Sequence, residues 1–86
     1  MIKIDYTPAF SRQFRKLEYL LAQEAVEKID LFKDPKNHDL LKVHKLHGPL
    51  KGRYSFYVNY KIRVVFHHVS KNEVILMAIG DHDVYK

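Results

Sequence analysis

The chain opens in alternation, with Ile2 and Ile4 apolar and Lys3 and Asp5 polar, the period of two that a half-buried strand requires. The period then lengthens. Phe10, Phe14 and Leu17 recur at helical spacing while Ser11, Arg12, Arg15 and Lys16 face away, and Thr7-Pro8 supplies an N-cap followed by a residue whose missing N–H costs nothing there. After "EYLLAQ", a second helical face runs through Ala22, Ala25, Val26, Ile29 and Phe32, opposed by Glu24, Glu27, Lys28 and Lys33. Pro35 cannot continue that helix, and Asn37 and Asp39 favour a turn. The two helices, adjacent in sequence, are expected to form an antiparallel pair.

Residues 40–52, "LLKVHKLHGPLKG", read as an irregular basic connection or a short edge strand, broken by Gly48-Pro49 and Gly52. Alternation returns in "RYSFYVNY", with Tyr54, Phe56 and Val58 on one face and Arg53, Ser55, Tyr57 and Asn59 on the other. A turn at Asn59-Tyr60-Lys61 leads into "IRVVFHHV", and "SKNE" turns again into "VILMAIG", apolar on both faces as an interior strand is. The order is β-α-α-β-β-β. It predicts an α+β fold, a two-helix hairpin packed on one face of a small, mainly antiparallel sheet, forming a single domain over residues 1–86. The other face of the sheet is expected to stay open.

Composition narrows the setting. With no cysteine, neither a disulfide framework nor a Cys-type zinc site supports so small a domain, and an intracellular, cytoplasmic protein is expected. The N-terminus lacks a signal-peptide pattern, and no apolar run approaches the roughly 20 residues that span a bilayer, so no membrane partner is expected. The net charge of +5 is unevenly placed. Residues 40–72 hold Lys42, Lys45, Lys51, Arg53, Lys61, Arg63 and Lys71 with no Asp or Glu, while the rest of the chain is slightly acidic. Such asymmetry suits a polyanionic partner, nucleic acid foremost. A solvated basic face that serves only solubility is the alternative.

Two residues break the pattern. Arg63 stands in "KIRVVF" where patterning expects Val, Ile or Thr; alternation groups it with Val65 and His67 on the side away from Ile62, Val64 and Phe66. A guanidinium there can hold a phosphate through two parallel hydrogen bonds, or pair with an acid such as Asp81. His82 follows Gly80 at the end of the last strand, between Asp81 and Asp83, and imidazole is the side chain suited to proton transfer near neutral pH. An exposed terminal histidine is the bland alternative. Tyr85 either meets a base or phosphate, or packs the tail onto the sheet. Lys45, Lys51, Arg53 and Lys61 are candidates for backbone phosphates, and Tyr57 for stacking on a base. The pairs His44/His47 and His67/His68 are poorly spaced for a metal in non-helical and extended segments, so neither a metal nor another cofactor is expected.

The stretches "KLHGPLKGRYSFYVNYKIRVVF" and "ILMAIGDHDVY", in this order after a two-helix start, resemble the RelE/ParE superfamily of type II toxins over essentially the whole chain. The resemblance implies a toxin held by a cognate antitoxin, in a toxin–antitoxin hetero-oligomer. For the RelE branch it implies a metal-independent endoribonuclease that cuts mRNA in the ribosomal A site by attack of a 2′-hydroxyl on the adjacent phosphate. On that branch Arg63 matches the arginine that stabilises the phosphorane, His82 the position near the leaving or attacking oxygen, and Tyr85 the terminal aromatic. Lys51 and Arg53 fall near the basic residues that contact the cleaved phosphate; no glutamate stands in the basic segment to act as base, which leaves His47 or His67 for that role, or positioning by the ribosome in place of a base. The alternatives within the superfamily are a ParE-like, non-enzymatic inhibitor of DNA gyrase, or an inactive member that only binds its antitoxin.

Overall fold

The computed structural model describes residues 1–50 and 52–85, with the backbone alone at Tyr85. Strand β1 (Lys3–Tyr6) leads into helices α1 (Pro8–Arg15) and α2 (Tyr19–Phe32), followed by β2 (His44–Lys45), β3 (Tyr54–Tyr57), β4 (Arg63–Ser70) and β5 (Glu73–Gly80). The strands form one sheet in the order β1-β5-β4-β3-β2. β5, β4, β3 and β2 pair antiparallel as neighbours, while β1 runs parallel to β5, so the first strand closes the sheet beside the last.

Helix ends follow local chemistry. The Thr7 hydroxyl accepts the Phe10 N–H at 3.0 Å with Pro8 in the first turn, and the Glu18 carboxylate caps α2 by accepting from Leu20 and Leu21. Both helices cover one face of the sheet. Phe32 is fully buried there, stacked on Phe56 at 4.5 Å and edge-on to Phe66 at 4.8 Å, among Ala25, Val64, Leu76 and Ile79.

Val26 departs from expectation. It is 56% exposed, because Leu21, Ala25, Ile29 and Phe32 supply the sheet-facing stripe of α2 and leave Val26 beside it. The helices are also less closely paired than expected: a groove of about 1030 Å³ opens between them and β1, lined by Phe10 and Phe14 of α1, Tyr19, Ala22 and Val26 of α2, and Ile4.

One irregularity reorganises β5. Val65 pairs with Ala78 and Phe66 with Leu76, so Met77 is an extra residue in the ladder. The bulge lets Leu76 and Ile79, three apart, both face the core. Beyond the end of β1, α1 takes over the exposed edge of β5: the Thr7 hydroxyl donates to the Met77 carbonyl at 3.1 Å, and the Gln13 side-chain oxygen accepts the Ile79 N–H at 3.0 Å. Thus α1 fixes the end of the strand from which the C-terminal turn departs. No helix of the described residues is long and apolar enough to cross a membrane.

Candidate functional site

Cross-strand register sets the composition of the sheet face turned away from the helices. His44 pairs with Ser55, Ser55 with Val65 and Val65 with Ala78, forming one row; Tyr57 pairs with Arg63 and Arg63 with Gly80, forming the next. Partners in such a row project to the same side. Alternation opposes them to Phe56, Val64 and Ile79, which lie in the core.

This face is not as open as alternation suggested. Ser55 and Val65 are buried at 0% and 1% exposure although they lie outside the main core. Chain segments fold over the face from two directions. A 3₁₀ turn, His82–Tyr85, comes back against β4 and β5, where a Cβ added at Gly80 would lie 2.8 Å from Val84 Cγ1. From the side of β3, the Gly52 carbonyl meets the ring of His67 at 3.0 Å. Around the covered centre lie half-buried Tyr57 and Arg63 and exposed His44 and His67.

Arg63 is held on two sides. Its guanidinium carbon lies 4.5 Å from the centre of the Tyr57 ring, and Nη1 donates to the Lys61 carbonyl at 3.0 Å. That carbonyl is itself positioned. The Asn59 side-chain oxygen accepts the N–H groups of Lys61 and Ile62 at 2.8 and 2.7 Å, while its amide donates to Glu24 on α2 at 3.1 Å. The expected turn at residues 59–61 is therefore tied both to the helix layer and to Arg63.

His82 lies two residues beyond Gly80, the register partner of Arg63, so topology brings the C-terminal turn to the Arg63 end of β4. Its ring is exposed. Asp81 caps the turn: its carboxylate accepts the Asp83 N–H at 2.9 Å and its carbonyl the Val84 N–H at 3.1 Å.

The remaining histidines differ in what holds them. His44 Nδ1 lies 2.8 Å from the Lys42 carbonyl, and because a carbonyl only accepts, Nδ1 carries the proton and Nε2 is the acceptor of the neutral ring. Lys42 adopts the left-handed region, φ 57°, just before β2. The His44 ring meets Tyr57 edge-on with centroids 6.0 Å apart. His67 Nδ1 donates in the same way to Gly52, but His67 follows Arg63 by four residues on β4, roughly 13 Å along an extended chain. His47 is exposed between β2 and the 3₁₀ turn Gly48–Leu50.

The basic candidates divide. Arg53 is half-buried beside β3, where its carbonyl accepts the Leu46 N–H at 2.8 Å, and Lys61 is exposed in the turn next to Arg63. Lys45 pairs with Tyr54, whose ring packs on the core, so register puts Lys45 on the helix-covered side at the sheet edge, away from the face of Arg63. Lys51 and the side chain of Tyr85 lie outside the described residues. In the sequence His44 stands out only as a candidate metal ligand; its pairing with Ser55 depends on a strand of two residues that no alternation announces. Among the described residues, no three His, Cys, Asp or Glu side chains gather as a metal site would need.

Charge follows the same architecture. β2, β3 and β4 are contiguous in the sheet, and all three come from the stretch 40–72, whose sequence has seven Lys or Arg and no acid. A sequence asymmetry becomes a spatial one.

No family model and no curated protein matches the sequence. Solved structures do match the fold. The RelBE2 toxin–antitoxin complex from Mycobacterium tuberculosis contains a chain that superposes with a TM-score of 0.74 at 18% identity, covering 94% of this chain and 98% of that one. A chain of the YoeB-YefM complex from Staphylococcus aureus gives 0.70 at 22%, covering 95% and 98%. YafQ from Escherichia coli gives 0.61 at 16%, covering 99% and 98%. Over nearly its whole length, the chain has the RelE-like toxin fold.

Proposed function

We propose that this chain, built on the fold of those toxins, is itself the toxin of a toxin–antitoxin pair and cuts mRNA in the ribosomal A site. The observation that carries the proposal is the pairing of Arg63 with Gly80, which brings a seated guanidinium and the His82 turn to one end of the sheet face turned away from the helices. Two of the similar solved structures are toxin–antitoxin complexes, which supports a cognate antitoxin as partner of this chain.

In the proposed reaction, a base takes the proton of the 2′-hydroxyl, the 2′-oxygen bonds to the adjacent phosphorus, and the bond from phosphorus to the 5′-oxygen breaks. The products are a 2′,3′-cyclic phosphate and a 5′-hydroxyl. Arg63 neutralises the charge that builds on the phosphoryl oxygens, work suited to a planar cation with several fixed N–H donors. His82, as imidazolium, gives its proton to the departing 5′-oxygen. The base is His44, whose Nε2 accepts while Nδ1 is engaged with Lys42, and whose ring touches the same tyrosine as Arg63. His67 is roughly 13 Å along the strand from Arg63 and anchors Gly52 instead. Arg53 and Lys61 hold neighbouring phosphates, and Lys51 and Tyr85 keep the parts that the sequence resemblance implies. Lys45 has no part at the cleaved phosphate.

A translating extract tests the proposal. The wild-type chain is expected to cut a reporter mRNA, with His82→Ala lowering the rate by about 10²–10⁴ and Arg63→Ala by about 10²–10³ while both variants stay folded. Unchanged cutting by either variant refutes its role. Trapped gyrase–DNA breaks with intact mRNA would replace the nuclease by a gyrase inhibitor.

A further inference from the structure

By sequence, Tyr57 is a candidate surface on which an RNA base stacks. The contacts around its ring point elsewhere. Tyr57 stands directly opposite Arg63 in the β3–β4 ladder, and the guanidinium carbon lies 4.5 Å from the ring centre, well inside the roughly 6 Å range of a cation–π contact. A second ring, that of His44, meets Tyr57 edge-on at 6.0 Å with the planes at 71°. The tyrosine backbone is fixed as well, since its N–H donates to the Leu41 carbonyl at 3.0 Å. With the guanidinium over the ring and an imidazole against it, the faces a base would need are partly taken by protein.

We infer that Tyr57 is a positioning residue: its ring seats Arg63 in the orientation that meets the scissile phosphate and sets the spacing between Arg63 and His44. This deepens the proposed function and rests on Arg63 acting at that phosphate. An arginine loses much rotamer freedom when it is held in one geometry, and a seat built before substrate arrives removes that loss from the reaction step. The ring and the Lys61 carbonyl constrain the guanidinium from two directions, which suffices to orient a planar group. The phenolic hydroxyl has no part in the seat, whereas the π face is indispensable to it.

The test has two arms. In the first, NMR of the uncomplexed protein reads the side-chain protons of Arg63, which a ring at this distance shifts upfield. The shift is expected in wild type and Tyr57→Phe and is expected to vanish in Tyr57→Leu. This arm needs no RNA and no cleavage, and an unshifted Arg63 in wild type overturns the seat even if every variant fails to fold. The second arm measures single-turnover cutting on programmed ribosomes. Tyr57→Phe is expected to stay within about threefold of wild type, and Tyr57→Leu to lose roughly 10- to 100-fold in rate with half-saturation little changed, as displacement of a catalytic group does. Weaker half-saturation with an intact rate would instead mark base stacking and refute the inference. If wild type cuts no RNA while the upfield shift is present, the proposed reaction fails and the seat stands as structure alone.

Discussion

At the scale of single residues, three histidines compete for one role, and their neighbours separate them. His44 and His67 both donate from Nδ1 to a backbone carbonyl, leaving Nε2 as acceptor, so tautomer alone does not choose between them. Neighbours do. His44 touches the tyrosine that carries Arg63, while His67 lies four residues from Arg63 along β4 and holds Gly52, a residue at φ 89°. His44→Ala is therefore expected to slow cutting by about 10²–10⁴ with little loss of stability, while His47→Ala stays within a few-fold of wild type. Rates from single-turnover cleavage check this, and a large loss in His47→Ala with none in His44→Ala would reverse the assignment. Arg63 itself was legible in the sequence because a charge inside an apolar strand must be answered by water, an acid or a ligand. Tyr57 was legible only as one of several aromatic residues, since its contact with Arg63 is a matter of register and not of composition.

At the scale of elements, local signals were read best. The N-cap at Thr7, the proline that follows it and the strands β1 and β3 depend on a few consecutive residues, and all appear in the fold, although in β3 the polar Ser55 is buried along with Phe56. "VILMAIG" was harder. Its residues are apolar on both sides, so nothing in the pattern reveals that Met77 is the bulged residue or that Leu76 and Ile79 share a face. Nor does alternation in β1 say that its partner is β5, more than sixty residues away. These features come from tertiary packing, with α1 satisfying the backbone of β5 at Met77 and Ile79.

The end of β5 carries a further consequence for the C-terminal turn. Gly80 is needed for close approach, since a methyl group there would lie 2.8 Å from the Val84 side chain, and valine has little rotamer freedom with which to yield. Gly80→Ala is expected to displace the turn that carries His82, reducing cutting roughly 10- to 100-fold while thermal unfolding shows a loss of no more than about 1 kcal/mol. Adding Val84→Ala is expected to restore most of the rate. Wild-type cutting by Gly80→Ala would show that the turn need not pack on the sheet.

At the scale of the whole molecule, the fold turns sequence order into a division of labour. The helices cover one face of the sheet and enclose a groove with β1 at its edge, while the acid-free segment supplies the three neighbouring strands β4, β3 and β2. The turn His82–Tyr85 then returns to the end of β4 where that basic segment carries Arg63. On the proposed function, a polyanion attracted by the basic segment meets the guanidinium and the two histidines there. The face that alternation predicts to be open is partly roofed, because His82–Tyr85 and Gly52 fold over it, and neither return is encoded in the period of any strand.

The central claim is that a ribose hydroxyl of the bound message attacks its own phosphate on this face. The most direct measurement uses programmed ribosomes carrying an mRNA with a single 2′-deoxy nucleotide at the A-site cleavage position, beside the all-ribose message. The all-ribose message is expected to be cut there to a 2′,3′-cyclic phosphate and a 5′-hydroxyl, and the deoxy message to remain whole at that position. Cutting of the deoxy message at the same bond, or survival of both messages in the presence of folded protein, would contradict the account.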